Sequence, residues 1–339
     1  MRNSALLLLP LIAGALGCEP GFTPASKVES LRVLAVRPEP ASGAPGAVLT
    51  LDMLYADLRE GAPEPEIAWI AGCHNPPSRQ YYECFPRLGQ AAAGSAGSIG
   101  LGSRFELTIP DDILSSAPRL PTDPVHFGVS YVFFAACAGS LRPRPDVTDR
   151  LPLDCVNPET EAPLGANDFV IGFSTIYSYE GVSNQNPVVT GLLFDGVPAG
   201  SIGTDGTAVE APCADASECA SPDDFGRERT CSLGRCVLVV PACAGVDCPE
   251  YAIAPAVDAA TAEPVGGGTE IVWANYYATA GEIVKPTQLV VDRERGFVGD
   301  YTSSWRAPEE PAGNVRLWAT VNDQRGGAAW ATFDVYVGP

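Results

Sequence analysis

The sequence predicts an all-β protein built from antiparallel sandwiches, and two observations support this fold class. Apolar residues alternate with polar ones at a period of two, as in the segment from Leu49 to Tyr55, while helical periodicity is scarce. The 32 prolines and 35 glycines separate such segments, which is typical of short strands joined by tight turns.

A weak internal repeat divides the chain into two comparable halves. In the first half, EIAW at residues 66–69 precedes FELTIP, which ends at Pro110, and further strands follow. In the second half, EIVW at residues 270–273 precedes SSWRAP, which ends at Pro308, and strands follow again. The shared order predicts two copies of one domain, although short β motifs can also match by coincidence.

The C-terminal segment VRLWATVNDQRGGAAWATFDVYV, from Val315 to Val337, is similar to the last hairpin of immunoglobulin-like repeats in bacterial surface proteins. Those PKD-like and cadherin-like domains often open on an Asn-Pro strand, which Asn186 and Pro187 match. The resemblance implies a fold and no activity. It predicts a first immunoglobulin-like β-sandwich at residues 28–182 and a second at residues 187–339.

A cysteine-rich segment interrupts the second predicted sandwich. It has few large apolar residues before Val237, so it cannot build a hydrophobic core and needs covalent staples. We expect a disulfide-rich insertion at residues 211–250, between the first two strands of that sandwich. Its cysteines are Cys213, Cys219, Cys231, Cys236, Cys243 and Cys248.

The N-terminus has the layout of a secretory signal over residues 1–17. One cation, Arg2, precedes an apolar run that is too short to span a bilayer. The sequence ALGC at residues 15–18 resembles a bacterial lipobox, with Ala15 where Leu or Val is usual. The resemblance implies a lipoprotein that carries palmitate-type acyl chains on Cys18, and the alternative is an ordinary signal peptide cut nearby. Residues 18–27 are then predicted to form a lipidated tether.

The cysteine count agrees with this export. Of eleven cysteines, ten remain once Cys18 is acylated, and an even number is expected where disulfides form. Zinc is disfavoured because no Cys-x2-Cys pair exists and the histidines, His74 and His126, lie far from the cluster. We therefore predict that all ten cysteines form disulfides and that no metal is bound.

Strand topology restricts the pairing of these cysteines. Cys73 and Cys137 end neighbouring antiparallel strands, so they lie at opposite poles of the sheet, too far apart for a bridge. We therefore predict the pairs Cys73 with Cys84 and Cys137 with Cys155. The six cysteines of the insertion should pair among themselves, for example Cys243 with Cys248.

Composition and motifs argue against several functions. The net charge of −20 opposes binding to nucleic acid or to anionic lipid. The sequence lacks the G-x-S-x-G motif and both glycine-rich phosphate motifs, and its Asp111-Asp112 and Asp223-Asp224 pairs fit solvated turns. We predict no catalytic residue and no cofactor. The chain has no EF-hand spacing either, so calcium, which acidic bacterial sandwiches often bind between domains, receives no predicted ligands.

Three classes of function remain. We favour a non-enzymatic binding or adhesion lipoprotein of the cell envelope, in contact with the membrane through its lipid and with an unknown protein or polysaccharide. A structural subunit of an envelope complex is the second class, and it would expose a large apolar patch. A carboxylate-based envelope hydrolase is the third, and it would need a concave pocket with perturbed carboxylates.

Trp318 and Trp330 are the candidate binding residues. A three-residue connection at 323–325 predicts that they lie opposite each other in the last hairpin. Burial of the alternating aliphatic residues then places both indoles on the outer face of the sheet. They could form an exposed platform for a sugar or a partner chain, or they could pack under a loop or against the first domain.

The lipid anchor leads to a direct test. Growth with labelled palmitate should label the wild-type protein and leave Cys18→Ser unlabelled, because the acyl chains are expected on this cysteine. Glu19 in place of Asp favours the outer membrane by analogy with lipoprotein sorting, so the label should fractionate there. Label that persists in Cys18→Ser would contradict the assignment.

Overall fold

The computed structural model describes residues 23–339 except 60, 93–98, 122, 124, 200, 203–207, 210, 220–225 and 246. The signal, Cys18 and the start of the predicted tether therefore lie outside the described residues. The described chain forms two β-sandwiches in succession, which confirms the predicted all-β, immunoglobulin-like class.

The first sandwich packs a three-stranded sheet of order β1-β2-β5 on a four-stranded sheet of order β4-β3-β6-β9. Between the sheets, the fully buried Trp69 indole contacts the rings of Phe105 and Phe134 at centroid distances of 5.8 and 5.7 Å. A separate hairpin, β7-β8, lies beside the larger sheet. The strands are β1 (Arg32–Glu39), β2 (Val48–Ala56), β3 (Glu66–His74), β4 (Ile99–Leu101), β5 (Arg104–Thr108), β6 (Phe127–Cys137), β7 (Ser140–Pro143), β8 (Leu153–Val156) and β9 (Phe169–Tyr179).

A second apolar layer covers the outer face of the four-stranded sheet. A 3₁₀ turn (Tyr81–Cys84) leads into helix α1 (Phe85–Ala92), whose Leu88 is fully buried against that face. Leu151 and Leu153 of the β7-β8 hairpin join the same cluster. Because both faces are covered, β6 is buried along nearly its whole length rather than at alternate residues.

Two disulfides attach these coverings to the sheet. Cys73 of β3 is bonded to Cys84 in the 3₁₀ turn, and Cys137 of β6 is bonded to Cys155 of β8. Both pairs are those predicted from the strand topology. Each bridge closes a short loop, of 11 and 18 residues, so each restricts the unfolded chain and fixes one element on the outer face.

The second sandwich packs a sheet of order β11-β10-β16-β23-β20 on one of order β14-β15-β25-β24-β19-β21-β22. Its core surrounds the buried Tyr276, Trp305 and Phe333. The strands are β10 (Val189–Phe194), β11 (Val197–Pro198), β12 (Ser201–Ile202), β13 (Ala208–Val209), β14 (Arg229–Ser232), β15 (Arg235–Pro241), β16 (Glu250–Val257), β17 (Pro264–Val265), β18 (Gly268–Thr269), β19 (Val272–Ala278), β20 (Glu282–Ile283), β21 (Thr287–Asp292), β22 (Gly296–Phe297), β23 (Ser303–Arg306), β24 (Gly313–Asp323) and β25 (Ala328–Gly338).

The two sandwiches share one strand order, as the internal repeat predicts. The sheet β1-β2-β5 corresponds to β10-β16-β23, and β4-β3-β6-β9 corresponds to β21-β19-β24-β25. The repeated tetrapeptides lie on equivalent strands, yet their tryptophans face differently. Trp69 points into its core, whereas Trp273 is half-buried because Val272, Ala274 and Tyr276 take the inward positions of β19.

The cysteine-rich segment contributes a strand to the second sandwich. Its disulfides interleave as Cys213–Cys231 and Cys219–Cys236, followed by the predicted local pair Cys243–Cys248. β15 lies inside the 211–250 range predicted as an insertion, but it pairs in parallel with β25, from Leu238 opposite Val335 to Pro241 opposite Gly338. The segment is therefore partly a component of the sandwich itself.

The end of the predicted tether is held by the second sandwich. Ser26 O accepts a hydrogen bond from Ala278 N, and Val28 N donates one to Ala278 O, both at 2.9 Å. Val28 is fully buried. Among the described residues, no helix is long and apolar enough to cross a membrane. The described chain thus begins at the joint between the two sandwiches, where residues 26–28 lie against β19.

Candidate functional site

The terminal hairpin has a register two residues away from the predicted one. Asp323 N donates to Gly327 O at 3.1 Å, so the three-residue connection is Gln324 to Gly326 rather than 323–325. The Asp323 carboxylate stabilises this turn by accepting the N–H groups of Arg325 and Gly327 at 2.7 and 2.8 Å. The predicted pairing was therefore wrong, because this carboxylate keeps Asp323 in the ladder.

The register change separates the two candidate tryptophans without moving them to another face. Trp318 lies opposite Thr332, and Trp330 lies opposite Thr320. A shift of two residues preserves the facing of every side chain, so both indoles are on the outer face as predicted. All of the aliphatic positions predicted for the inner face of this hairpin are buried.

The outer face of the hairpin packs against the first sandwich and is not exposed. Trp318 is 4% exposed and clusters with Val28 and Leu34. Trp330 is 7% exposed, and the Arg37 guanidinium lies 4.6 Å from the centroid of its ring. The exposed platform is therefore wrong: the second domain buries its two tryptophans against the first. Both tryptophans line the edge of a cleft of about 580 Å³ between the sandwiches.

A buried charged cluster fixes the same joint. Arg325 donates from Nε to Glu270 at 2.8 Å, pairs with Glu263, and contacts Ser183 O in the segment that connects the two sandwiches. From that segment, Asn184 Nδ2 donates to the Asp323 carboxylate at 3.0 Å. The joint is thus cross-linked by groups that are far apart in sequence.

This cluster holds more negative than positive charge. Burial and, to a smaller extent, the nearby Asp323 carboxylate raise the pKa of Glu270 to about 7 against the opposing effect of Arg325. Burial also raises the pKa of Asp323 above its ordinary value. Both carboxylates are buried, so their perturbed pKa values reflect their enclosure at the joint.

The described cysteines and histidines that could act as metal ligands or bases have other partners. In the described part of the chain, three-residue groups with metal-ligand geometry reduce to Cys213, Cys219 and Cys236, and all three are in disulfides. His74 Nε2 lies 3.6 Å from the exposed Asp112, and His126 Nε2 lies 2.9 Å from Leu114 O. Neither of these two histidine contacts involves a serine or a pair of carboxylates.

The candidate site that sequence reasoning missed is an aromatic patch on the first sandwich, consisting of Tyr81, Tyr82, Phe85, Ile171 and Phe173. The rings of Tyr81 and Phe173 stack with centroids 4.5 Å apart. Tyr82 is 53% exposed and Ile171 54% exposed, so the patch presents apolar area to solvent. The three aromatics within YYECF at residues 81–85 were its only sequence signal.

Covalent and polar contacts hold this patch rigid. Cys84 ties the 3₁₀ turn to β3, while Ser78 N and Oγ donate to the Glu83 carboxylate at 2.9 and 2.7 Å. Beneath the patch, Tyr131 Oη donates to Arg79 O at 2.8 Å. Rigid aromatic area contributes binding energy at low entropic cost, so the patch can serve as a contact surface.

An apolar groove lies at the opposite edge of the same sheet. It encloses about 570 Å³ and is bounded by the outer face of β3 and by the β7-β8 hairpin. Ile99 and Leu101 of the short edge strand β4 line it and are themselves exposed. The first sandwich therefore offers apolar surface at both edges of its four-stranded sheet, whereas the joint buries Trp318 and Trp330 of the second sandwich.

Comparison with known proteins adds little beyond the fold. No protein-family model and no curated protein matches the chain. Similar solved structures include the fibronectin(III)-like modules of CbhA from Clostridium thermocellum, with 8% identity and a TM-score of 0.19 over 91% of this chain and 93% of that chain. Dimeric latent PorU from Porphyromonas gingivalis has 10% identity and a TM-score of 0.21 over 92% of this chain and 24% of its own.

The burial of Trp318 predicts a stability effect. Trp318→Ala should lower the free energy of unfolding by about 3 to 5 kcal/mol, because it opens a cavity between the sandwiches. Leu233→Ala, at an exposed residue of the same cleft, should change it by less than about 0.5 kcal/mol. Urea denaturation measures both. Equal stability of the two variants would show that Trp318 does not pack in the joint.

The raised pKa of Glu270 predicts a pH dependence of stability. The pKa rises from 4.5 to about 7 in the folded protein, so this group's contribution is full below pH 4.5 and is lost as the pH rises through 7. In Glu270→Gln, the loss of stability between pH 5 and pH 8 should be smaller by about 2 kcal/mol than in the wild type. Glu282→Gln, at an exposed carboxylate, is the matched control. An unchanged pH slope in Glu270→Gln would contradict the prediction.

Proposed function

We propose that the protein is a non-catalytic binding lipoprotein of the bacterial cell envelope and that the aromatic patch is its contact surface. The patch carries the proposal, because exposed rigid aromatics are characteristic of binding sites and are costly to leave in water without a role. Export to an oxidising compartment is supported by the five disulfides. The anchor at Cys18 rests on the lipobox resemblance.

The position of residues 26–28 supports a binding role at the cell envelope. Residues 26–28 pack at the joint between the sandwiches, so a lipid attached eight residues before Ser26 would hold the joint near the membrane. The aromatic patch belongs to the outer face of the first sandwich, whereas Val28 packs with Leu34 and Trp318 in the joint. A partner can then reach it without competition from the anchor.

The two alternative classes, a structural subunit and a hydrolase, are favoured by different features. The apolar groove beside Ile99 and Leu101 favours a structural subunit with a permanent partner, because obligate interfaces are more apolar than transient ones. A hydrolase receives less support, since the carboxylates of raised pKa, Glu270 and Asp323, are enclosed in the joint. Purification with one partner in fixed stoichiometry would favour the structural subunit.

Site-specific crosslinking on intact cells tests the proposal. A benzophenone amino acid at position 82, in the patch, should capture a discrete partner, whereas the same amino acid at the similarly exposed position 120 should not. Tyr81→Ser in the position-82 protein should weaken this capture, since it removes the ring stacked on Phe173. Thermal melting confirms that each variant is folded. Equal capture from positions 82 and 120 would exclude the patch as the contact surface.

A further inference from the structure

β9 is the last strand of its sheet, and half of its backbone polar groups face away from β6. Ala138 N donates to Asp168 O and Glu180 N donates to His126 O, which sets the phase of the β6-β9 ladder. Residues 168, 170, 172 and 174 therefore bond to β6. The N–H and C=O groups of Phe169, Ile171 and Phe173 point to the open edge.

Among the described residues, contacts with this edge are confined to its C-terminal part. Ser42 forms a single parallel bridge with Tyr177, and the Gly326 turn of the second sandwich closes on Thr175 O. In the second sandwich, the equivalent edge strand β25 is covered by the four-residue parallel pairing with β15. The same position of the fold thus accepts an added strand in one sandwich, and in the other no described residue pairs with the edge from residue 169 to residue 174.

The open segment lacks the devices that protect sheet edges. Its sequence, FVIGFS, contains no charge and no proline, and Ile171 and Phe173 are exposed on its outer face. Natural edge strands usually carry lysine, proline or a bulge, because unpaired apolar edges recruit other strands. An uncovered edge of this composition beside the aromatic patch is expected where strand addition is the function.

A crevice of about 380 Å³ adjoins the inner side of this edge. It lies between β9, β1 and the β24-β25 turn of the second sandwich, and its lining includes Val33, Val36, Phe134, Thr175, Trp273 and Gln324. The Phe134 ring packs directly on Gly172 of β9, where a Cβ would lie 2.4 Å from the ring. A strand added to β9 would place alternate side chains in this crevice and the others against Ile171 and Phe173.

We infer that β9 binds an extended segment of another protein as an additional strand, with apolar side chains at alternate positions. This inference rests on the proposed binding function and names its partner chemistry. Main-chain hydrogen bonds to residues 169, 171 and 173 supply affinity, while the crevice and the aromatic patch select the two faces of the segment.

A second copy of this chain fits the edge less well. Antiparallel self-pairing centred on Ile171 would place the second copy's Asp168 opposite Ser174, next to the crevice. That carboxylate is already paired with Arg59, and self-pairing would place its charge beside the crevice. The net charge of −20 on each copy also opposes association.

The test uses the purified mature protein and a synthetic eight-residue peptide in which leucine alternates with threonine between terminal lysines. Residue-resolved amide hydrogen exchange should show fast exchange at Ile171 and Phe173 without peptide and slow exchange with it. The amides of residues 170 and 172 should exchange slowly in both states, since they already bond to β6. A peptide with proline at its centre should give no protection.

Two substitutions at one position separate backbone pairing from side-chain contact. Ile171→Pro removes an outward N–H without breaking the β6 ladder, and peptide affinity measured by fluorescence anisotropy should fall about tenfold or more. Ile171→Lys should also weaken binding by placing a charge on the edge. Val48→Lys, at an equally exposed strand position of the first sandwich, should bind as the wild type does. Melting temperatures verify folding.

Three outcomes would overturn the inference. The first is slow exchange at Ile171 and Phe173 before peptide is added. The second is unchanged fast exchange at saturating peptide. The third is protection that appears with protein concentration alone, together with a doubled mass in ultracentrifugation, which would assign the edge to a second copy. If the crosslinker at position 82 still captures a partner while one of these three results is obtained, the proposed binding function is retained. In that case the strand addition alone is excluded.

Discussion

The packing of the β24-β25 hairpin against the first sandwich determines which surfaces of the protein remain open. It buries Trp318 and Trp330, and its turn approaches Thr175 closely enough that Gly326 has no room for a side chain. This hairpin carries two outward-facing tryptophans of the second sandwich and a third, Trp273, is half-buried, whereas Tyr81, Tyr82 and Phe173 of the first sandwich are exposed. The difference in exposed aromatic surface between the two sandwiches follows from this one contact.

The charged cluster explains why the joint is specific as well as apolar. Apolar burial alone would tolerate sliding of one sandwich on the other. The cluster opposes sliding through its contacts with the first sandwich: Asn184 N donates to Ser42 Oγ at 2.8 Å, and the Arg325 guanidinium lies 5.8 Å from the centroid of the Tyr179 ring. Arg325 lies among three acidic groups, Glu263, Glu270 and Asp323, and its positive charge bridges them. This charged cluster has an electrostatic cost. Burial keeps the pKa of Glu270 near 7, so the state in which all of the cluster's carboxylates are ionised is disfavoured.

Much of the fold could be predicted because it depends on local periodicity. Alternation placed the strands, the position of Cys73 and Cys137 at opposite poles excluded their bridge, and the inner face of the last hairpin was assigned correctly. The hairpin register could not be predicted. It depends on the Asp323 carboxylate, which binds the turn's own N–H groups and shifts the connection by one residue.

The candidate site was harder to predict, because burial on an outer face is decided by contacts distant in sequence. Trp318 meets Val28 and Leu34, and Tyr81 meets Phe173, so no local pattern distinguishes the ring that becomes buried from the ring that stays exposed. The cysteine spacing indicated a stapled insertion, but it contained no sign that β15 would pair with β25. Alternation shows which side of a strand is apolar, and only the tertiary fold shows what covers that side.

The equivalent outer edges of β25 and β9 suggest what the cysteine-rich segment contributes. It has little apolar core of its own, and its bridges Cys213–Cys231 and Cys219–Cys236 hold β14 and β15 together as a hairpin. β15 then covers the edge of β25, which would otherwise present unpaired N–H and C=O groups. The first sandwich has the same strand order without such a segment, and its edge strand β9 remains open over FVIGFS. A chain that closes one edge with a dedicated, disulfide-held strand and leaves the other apolar and unprotected treats the two edges differently, and that asymmetry is the strongest structural reason to regard β9 as a binding edge.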